Sequence, residues 1–271
     1  MINSGNNMEN KPAQQHKLTI TYLYPVSMST YGDRGNVLTL LRRAEWRGIA
    51  VHIKTAEIGE RIPMGDLYFF GGGQDHAQIV VAQDLAGEKS AFLRAEAEAG
   101  KVMLAICGGY QLLGTSYTDG QGNVLPGVGI LDARTVAGAK RMIGDIAVMP
   151  SDEFAARFSR EQYEASGRAA LIIGFENHSG KTFIGHNAKP FARVQRGSGN
   201  NGEDGTEGAL YKNVLGCYMH GSLLPKNPHL ADFLISTALA VKEGKPVPLS
   251  SLDDNIEWAA HDRVLSAKFG L

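Results

Sequence analysis

A thiol becomes a nucleophile when a strand delivers it onto the start of a helix, and residues 101–114 (KVMLAICGGYQLLG) have that form. An apolar strand runs into Cys107, two glycines leave room for a sharp turn, and a helical segment follows. The following helix N-terminus stabilises a thiolate and so lowers the pKa of the thiol. Gly108 would offer its backbone N–H to an oxyanion, with a second donor expected from Gly72 or Gly73 at the end of a neighbouring strand. The chemistry that suits this constellation is attack on a carbonyl carbon. A buried structural cysteine is the competing reading, because free cysteine is among the most buried residue types.

Such a thiol needs a base that takes its proton and later gives one to a leaving group, and histidine suits that work at neutral pH. Of the eight histidines, His220 in VLGCYMHGSLLP stands at the end of an apolar stretch beside a glycine. That is the setting of a side chain displayed at the carboxyl edge of a sheet. His76 and His178 lie in similarly placed loops and are its rivals. His16 falls in a polar tail, His52 and His186 lack a glycine-flanked setting, and His229 and His261 read as surface positions on helices. Cys217, three residues before His220, should face the opposite way by strand alternation and reads as core. Residues 174–182 (GFENHSGKT) nearly match the phosphate loop G-x-x-x-x-G-K-[ST], but the first glycine would have to stand where Phe175 is, and no long helix is expected after Lys181. Nucleotide binding is therefore not expected at this segment.

The elements that must hold these groups read as an alternation of strands and helices. Leu18 to Pro25 is a buried strand; after a loop with Tyr31, Gly32 and Asp33, the spacing predicts a helix from Asn36 to Arg47, stopped by Gly48. Strands follow at Ile49 to Ile53, Asp66 to Phe70 and Lys101 to Ile106, with helices over Gln74 to Gln83 and Glu88 to Ala99. This order implies a parallel sheet covered on both faces. Beyond Gly114 come shorter strands, Met142 to Met149, Ala170 to Phe175, Phe191 to Gln195 and Val214 to Tyr218, so the sheet is expected to be mixed. Residues 197–208 (GSGNNGEDGTEG) read as a hairpin turn or mobile loop, and Asn227 to Leu239 and Asp253 to Phe269 as amphipathic helices. With no internal repeat or linker, the expected organisation is a disordered tail over 1–17 and one domain over 18–271 that includes a C-terminal helix.

Composition removes other classes. The 271 residues carry 27 Lys and Arg against 28 Asp and Glu, a net charge of −1 without the basic face that a phosphate-driven nucleic-acid binder needs. No apolar run approaches the ~18–20 residues of a membrane span, and the first seventeen residues have no hydrophobic core of a signal peptide. Two cysteines are too few for a disulfide framework or a structural zinc site, which fits a reducing cytoplasm. The 33 glycines exceed the usual ~7% and cluster where strands end, as glycines at a site do.

Taken together, FGGGQDHAQ, AICGGYQLLG, GFENHSGKT and GCYMHGSLLPKNP make the chain resemble the cobyric-acid-synthase-type class I glutamine amidotransferases. YGDRGN (Tyr31 to Asn36) and GFENH favour the branch of GatD-type glutaminase subunits of lipid II isoglutaminyl synthase, as does the lack of an additional nucleotide-binding synthetase domain. The resemblance implies a three-layer α/β fold, with a mostly parallel central sheet, an antiparallel portion and helices on both faces. It implies Cys107 as nucleophile, His220 as its catalytic partner, and Gln111 as a substrate contact. Arg141, in the segment RMIG, is a weaker parallel: it would clamp the α-carboxylate of glutamine, or else be a surface arginine on a strand.

The function implied is hydrolysis of L-glutamine and delivery of ammonia to a Mur-ligase-like partner of the MurT type, in a heterodimer or larger complex. ATP and Mg would belong to that partner, with no cofactor in this chain. The partner would amidate the D-glutamate of lipid II during peptidoglycan synthesis, in the cytoplasm near the inner membrane surface. Another acceptor, such as a corrinoid carboxylate, and a non-catalytic scaffold are the competing functions. The chain departs from the wider family where a glutamate usually stands two residues after the histidine, because Ser222 occupies that place. The orienting carboxylate is then expected from elsewhere, either Glu176 or an acidic residue of the partner.

Overall fold

The computed structural model describes residues 16–29, 32–158 and 171–270, so most of the expected tail and Tyr31 lie outside it. The strands are β1 (Lys17–Leu23), β2 (Ala50–Ala56), β3 (Leu67–Phe70), β4 (Val102–Ile106), β5 (Ser116–Thr118), β6 (Val124–Pro126), β7 (Ala133–Pro150), β8 (Ile172–Ile184), β9 (Lys189–Arg196), β10 (Thr206–Tyr211), β11 (Val214–Cys217) and β12 (Met219–His220). Among the described residues the helices are α1 (Arg34–Glu45), α2 (Asp75–Leu85), α3 (Glu88–Glu98), α4 (Gly108–Leu113), α5 (Asp152–Ala155), α6 (Pro228–Glu243) and α7 (Asn255–Val264). A π-helical turn, Leu265–Phe269, continues α7.

One sheet holds the strands in the order β12-β8-β7-β9-β10-β11-β4-β3-β1-β2, with β5 and β6 off that path. The run β11-β4-β3-β1-β2 is parallel. Its central strands are apolar throughout because both faces are covered: every residue of β3 and β4 is buried. From β10 through β9, β7, β8 and β12 the pairing is antiparallel, so the expected parallel core carries an antiparallel extension. The near-match to a phosphate loop lies inside β8, where the ladder uses the backbone N–H groups that such a loop would need. Residues 197–205 join β9 to β10 as a packed hairpin: Asn200 and Asn201 are buried, and the Asn200 side chain bonds Thr206, Gly208 and Tyr110.

A contiguous apolar core, including Ile20, Leu40, Phe69, Leu104, Leu215 and Leu234, packs helices against the sheet. Arg43 on α1 is 2% exposed and reaches Asp232 on α6 and Asp254 before α7, with Arg47 also on Asp232. This cluster ties the C-terminal elements to α1. His229 and His261 are buried rather than on the surface: both pack against Trp258, and burial pushes His229 down to about 3. Polar residues gave no periodicity that would reveal so aromatic a lining.

Candidate active site

The carboxyl ends of β3 and β4 lie side by side, and each feeds a helix across a glycine turn. Cys107 follows β4 with φ +49 and ψ −105, a positive φ that non-glycine residues rarely adopt. The turn is held by tertiary bonds: Cys107 N–H donates to the Cys217 carbonyl at 2.8 Å, and Gly109 N–H donates to the Gly71 carbonyl at 3.1 Å. The glycines are needed for space. A Cβ at Gly109 would stand 2.7 Å from the Phe70 carbonyl oxygen, and one at Gly108 would stand 2.4 Å from Gln78 Nε2.

His220 ends β12, whose pairing with β8 sets it beside the elbow. A Cβ placed on Gly72 would lie 2.8 Å from His220 Cε1 and 3.3 Å from Cys107 Cβ, so both side chains converge on one glycine. Asp33, at the N-cap position of α1, joins them: its Oδ1 lies 3.5 Å from His220 Nδ1, and its Oδ2 accepts a 2.6 Å bond from Gly72 N–H. Burial opposes the imidazolium, yet the neighbouring Cys107 and Asp33 outweigh it and hold His220 above the usual imidazole range.

A cavity of about 250 Å³ opens beside Cys107, walled by Gly73, Gln78, Gln111, Arg141 and His178 among others. Its size, a little under the ~300 Å³ where small-molecule sites begin, suits an amino acid. Gln111 is anchored by its Nε2 to the Tyr218 hydroxyl at 3.0 Å, and Tyr218 meets Thr182 at 2.6 Å. Arg141 is exposed, with Nε donating to Asn177 Oδ1 at 2.6 Å. The expected groups Cys107, Gly73, Gln111 and Arg141 thus share one cavity, and His220 lies next to Gly72 beside Cys107.

Gly72 belongs to the cluster but not as an oxyanion donor, because its N–H is bonded to Asp33. Gly73 and Gly108 lie close together: a Cβ at Gly108 would be 3.0 Å from Gly73 N. Of the rival histidines, His76 is exposed at the start of α2. His178 lines the cavity but is stacked on Tyr218 at 3.6 Å, faces the Gly180 carbonyl with Nδ1, and is pushed down to about 4 by burial. Cys217 is buried and its thiol is raised well above the usual range, as expected of a core residue. The Glu176 carboxylate accepts the N–H groups of Ser198 and Gly199. Asp33 was missed from sequence, although an acid between the first strand and first helix of a parallel sheet is well placed for a site at the strands' carboxyl ends.

Residues 19–228 match the CobB/CobQ-like glutamine amidotransferase domain. The GatD subunit of the glutamine-hydrolysing lipid II isoglutaminyl synthase of Streptococcus pneumoniae is 38% identical over 88% of this chain and 87% of its own. The Staphylococcus aureus subunit of the same name is 37% identical over 90% and 93%. Among solved structures, PurLQS from Thermotoga maritima shares the fold, with a TM-score of 0.53 at 15% identity over 83% of this chain and 95% of that one. Matched over residues 19–228, the chain belongs to the CobB/CobQ-like glutamine amidotransferase family.

Proposed function

We propose that the chain is the glutaminase subunit of a lipid II isoglutaminyl synthase, hydrolysing L-glutamine at Cys107 and passing ammonia to a Mur-ligase-like partner of the MurT type. The observation that carries the chemistry is the convergence of Cys107 and His220 on Gly72. The two GatD relatives, each similar over nearly its whole length, support the biological assignment.

In this reading the Cys107 thiolate attacks the side-chain amide carbon of glutamine. The new oxyanion points at the N–H groups of Gly73 and Gly108. His220 gives its proton to the amide nitrogen as the C–N bond breaks, releasing ammonia and leaving a γ-glutamyl thioester on Cys107. Water then attacks the thioester and loses a proton to His220, which frees glutamate and restores the starting pair. Gln111 and Arg141 contact the substrate's α-substituents, Arg141 through its α-carboxylate. ATP and Mg act in the partner, which activates the D-glutamate carboxylate of lipid II at the membrane surface. Among the described residues no helix is long and apolar enough to cross a membrane, so attachment there would come through the complex and its lipid-linked substrate.

The test is glutamate release by the chain with and without the protein that co-purifies with it. Cys107→Ser and His220→Ala should abolish hydrolysis with the fold intact, while Cys217→Ser retains it. An inactive Cys217→Ser with an active Cys107→Ser would reassign the nucleophile. Calorimetry should detect no Mg-ATP binding to the chain alone; micromolar affinity would overturn the division of labour, and a corrinoid-carboxylate ligase as co-purifying partner would change the acceptor.

A further inference from the structure

Two groups of residues wall the cavity beside Cys107. Gln111, His178 and Gly180 form one: a Cβ on Gly180 would stand 2.5 Å from Gln111 Nε2, and His178 Nδ1 faces the Gly180 carbonyl at 2.8 Å. Arg141, bonded to Asn177, adjoins them, and this group suits the charged α-substituents of an amino acid. The other group is Cys107, Gly73 and Gln78, and here the reacting amide must lie.

Gln78 stands in the first turn of α2, where its N–H donates to the Gln74 carbonyl at 3.0 Å. Helical side chains lean toward the N-terminus of their helix, which brings this amide over the glycine turn. Its Nε2 lies 3.4 Å from the Gly73 carbonyl oxygen and would be 2.4 Å from a Cβ on Gly108. Met28 Cε would be 2.9 Å from the same Cβ, so one apolar methyl group and one amide meet at this turn.

Gln78 is 3% exposed, and its Oε1 is buried without a hydrogen-bond partner. An amide has two donors and two acceptor sites, and a buried acceptor left unpaired costs free energy. A residue needed only to fill this space would be leucine or methionine, which carry no such cost. Because Nε2 faces a carbonyl oxygen, the flip of the amide is set, and Oε1 is the atom left to accept.

We infer that Gln78 reads the carboxamide of the substrate: its Oε1 accepts an N–H of the glutamine side-chain NH2 while Gly73 and Gly108 take the carbonyl oxygen. The inference rests on the proposed hydrolysis of glutamine at Cys107. A carboxamide in this place supplies the donor that Oε1 lacks. Glutamate presents a carboxylate oxygen instead, and two sets of lone pairs then face each other. Gln78 so favours substrate over product, which a site built to pair an N–H does far better than one that only measures size. Its role is selection of the amide; Cys107 and His220 carry the chemistry.

The test uses Gln78→Met, close in length and volume and without the amide, in the chain assembled with the protein that co-purifies with it. Two substrates are compared, L-glutamine and the γ-methyl ester of L-glutamate. Both yield glutamate through the same thioester, the ester releasing methanol with a proton from His220, but only glutamine has an N–H to give to Oε1. The variant should lower kcat/KM for glutamine about tenfold or more and leave that for the ester unchanged or higher. Equal losses on both substrates would make Gln78 a packing residue, and no loss on glutamine would make it idle; either result overturns the inference.

If the variant fails to fold, calorimetry on Cys107→Ser with Gln78 intact gives the answer. That protein should bind glutamine at least about tenfold more tightly than glutamate or the ester, and equal affinities would overturn the inference. No heat with any of the three ligands would instead remove glutamine as the substrate and this inference with it, which separates the two failures.

Discussion

Gly72→Ala adds one methyl group at the point where the site converges. Gly72 does not have a positive φ, so alanine fits its backbone and the effect is one of space. The new Cβ would stand 2.8 Å from His220 Cε1, 3.2 Å from Asp33 Oδ2 and 3.3 Å from Cys107 Cβ. Carbon atoms prefer ~3.5 Å or more, so the imidazole must retreat by roughly 0.7 Å. Neither His220 nor Asp33 has room to yield, at 1% and 0% exposure. A misplacement of ~1 Å can cost ~10² in rate, and overpacking costs ~1–3 kcal/mol of stability.

The expected outcome is therefore a loss of kcat on the order of 10²-fold, with a melting temperature lower by ~2–4 °C for each kcal/mol. Glutamate release under steady state and a thermal melt give the two numbers. Gly73→Ala is the comparison for stability, since its Cβ would meet the flexible thioether of Met28 at 2.2 Å. Should Gly72→Ala retain kcat within threefold and melt like wild type, the convergence of His220 and Cys107 on this glycine would be wrong.

Other perturbations test separate parts. Arg43→Ala strips Asp254 of its two guanidinium contacts while Asp232 keeps Arg47, and should cost ~3 kcal/mol or more in urea denaturation; a loss below ~1 kcal/mol would mean the buried cluster contributes little. Arg141→Ala should raise KM for glutamine about tenfold or more, the scale of one charge-assisted hydrogen bond, and an unchanged KM would leave it a strand arginine bonded to Asn177. Burial pushes the Glu207 carboxyl up to about 8, so it stays protonated when folded where the unfolded chain has ionised it. Stability should then fall as pH rises from ~4.5 toward 8, and Glu207→Gln, which can keep the bond from Tyr218 N–H, should remove that slope; parallel curves for the two proteins would contradict the assignment.

The elbow was legible in the sequence because it is local. An apolar strand, a cysteine and two glycines occupy adjacent positions, and the sharp turn follows from their order. The alternation of strands and helices through Gly114 was legible for the same reason, since its periodicities span only a few residues each. His220 could be favoured by its strand-end setting, but separating it from His76 and His178 required knowing that β12 pairs with β8 and that His178 is stacked on Tyr218. Burial of His229 and His261 was equally hidden, because His229 depends on Phe158 and Trp258, and His261 on His229 and the Leu171 carbonyl, all arriving from other segments.

Asp33 marks the boundary most clearly. By itself it is a polar residue before a helix, with every local reason to cap it. Only the parallel pairing of β1 with β3, which brings the loop after β1 beside Gly72, and the hydrogen bonds from Ser222 to Gly32 and from Leu224 to Asn36 make the site a better partner than the helix end. The same contact takes Gly72 N–H out of the oxyanion set. Sequence determined the groups that local backbone geometry displays; tertiary structure decided which of them meet, because burial and hydrogen-bond competition are set by neighbours distant along the chain.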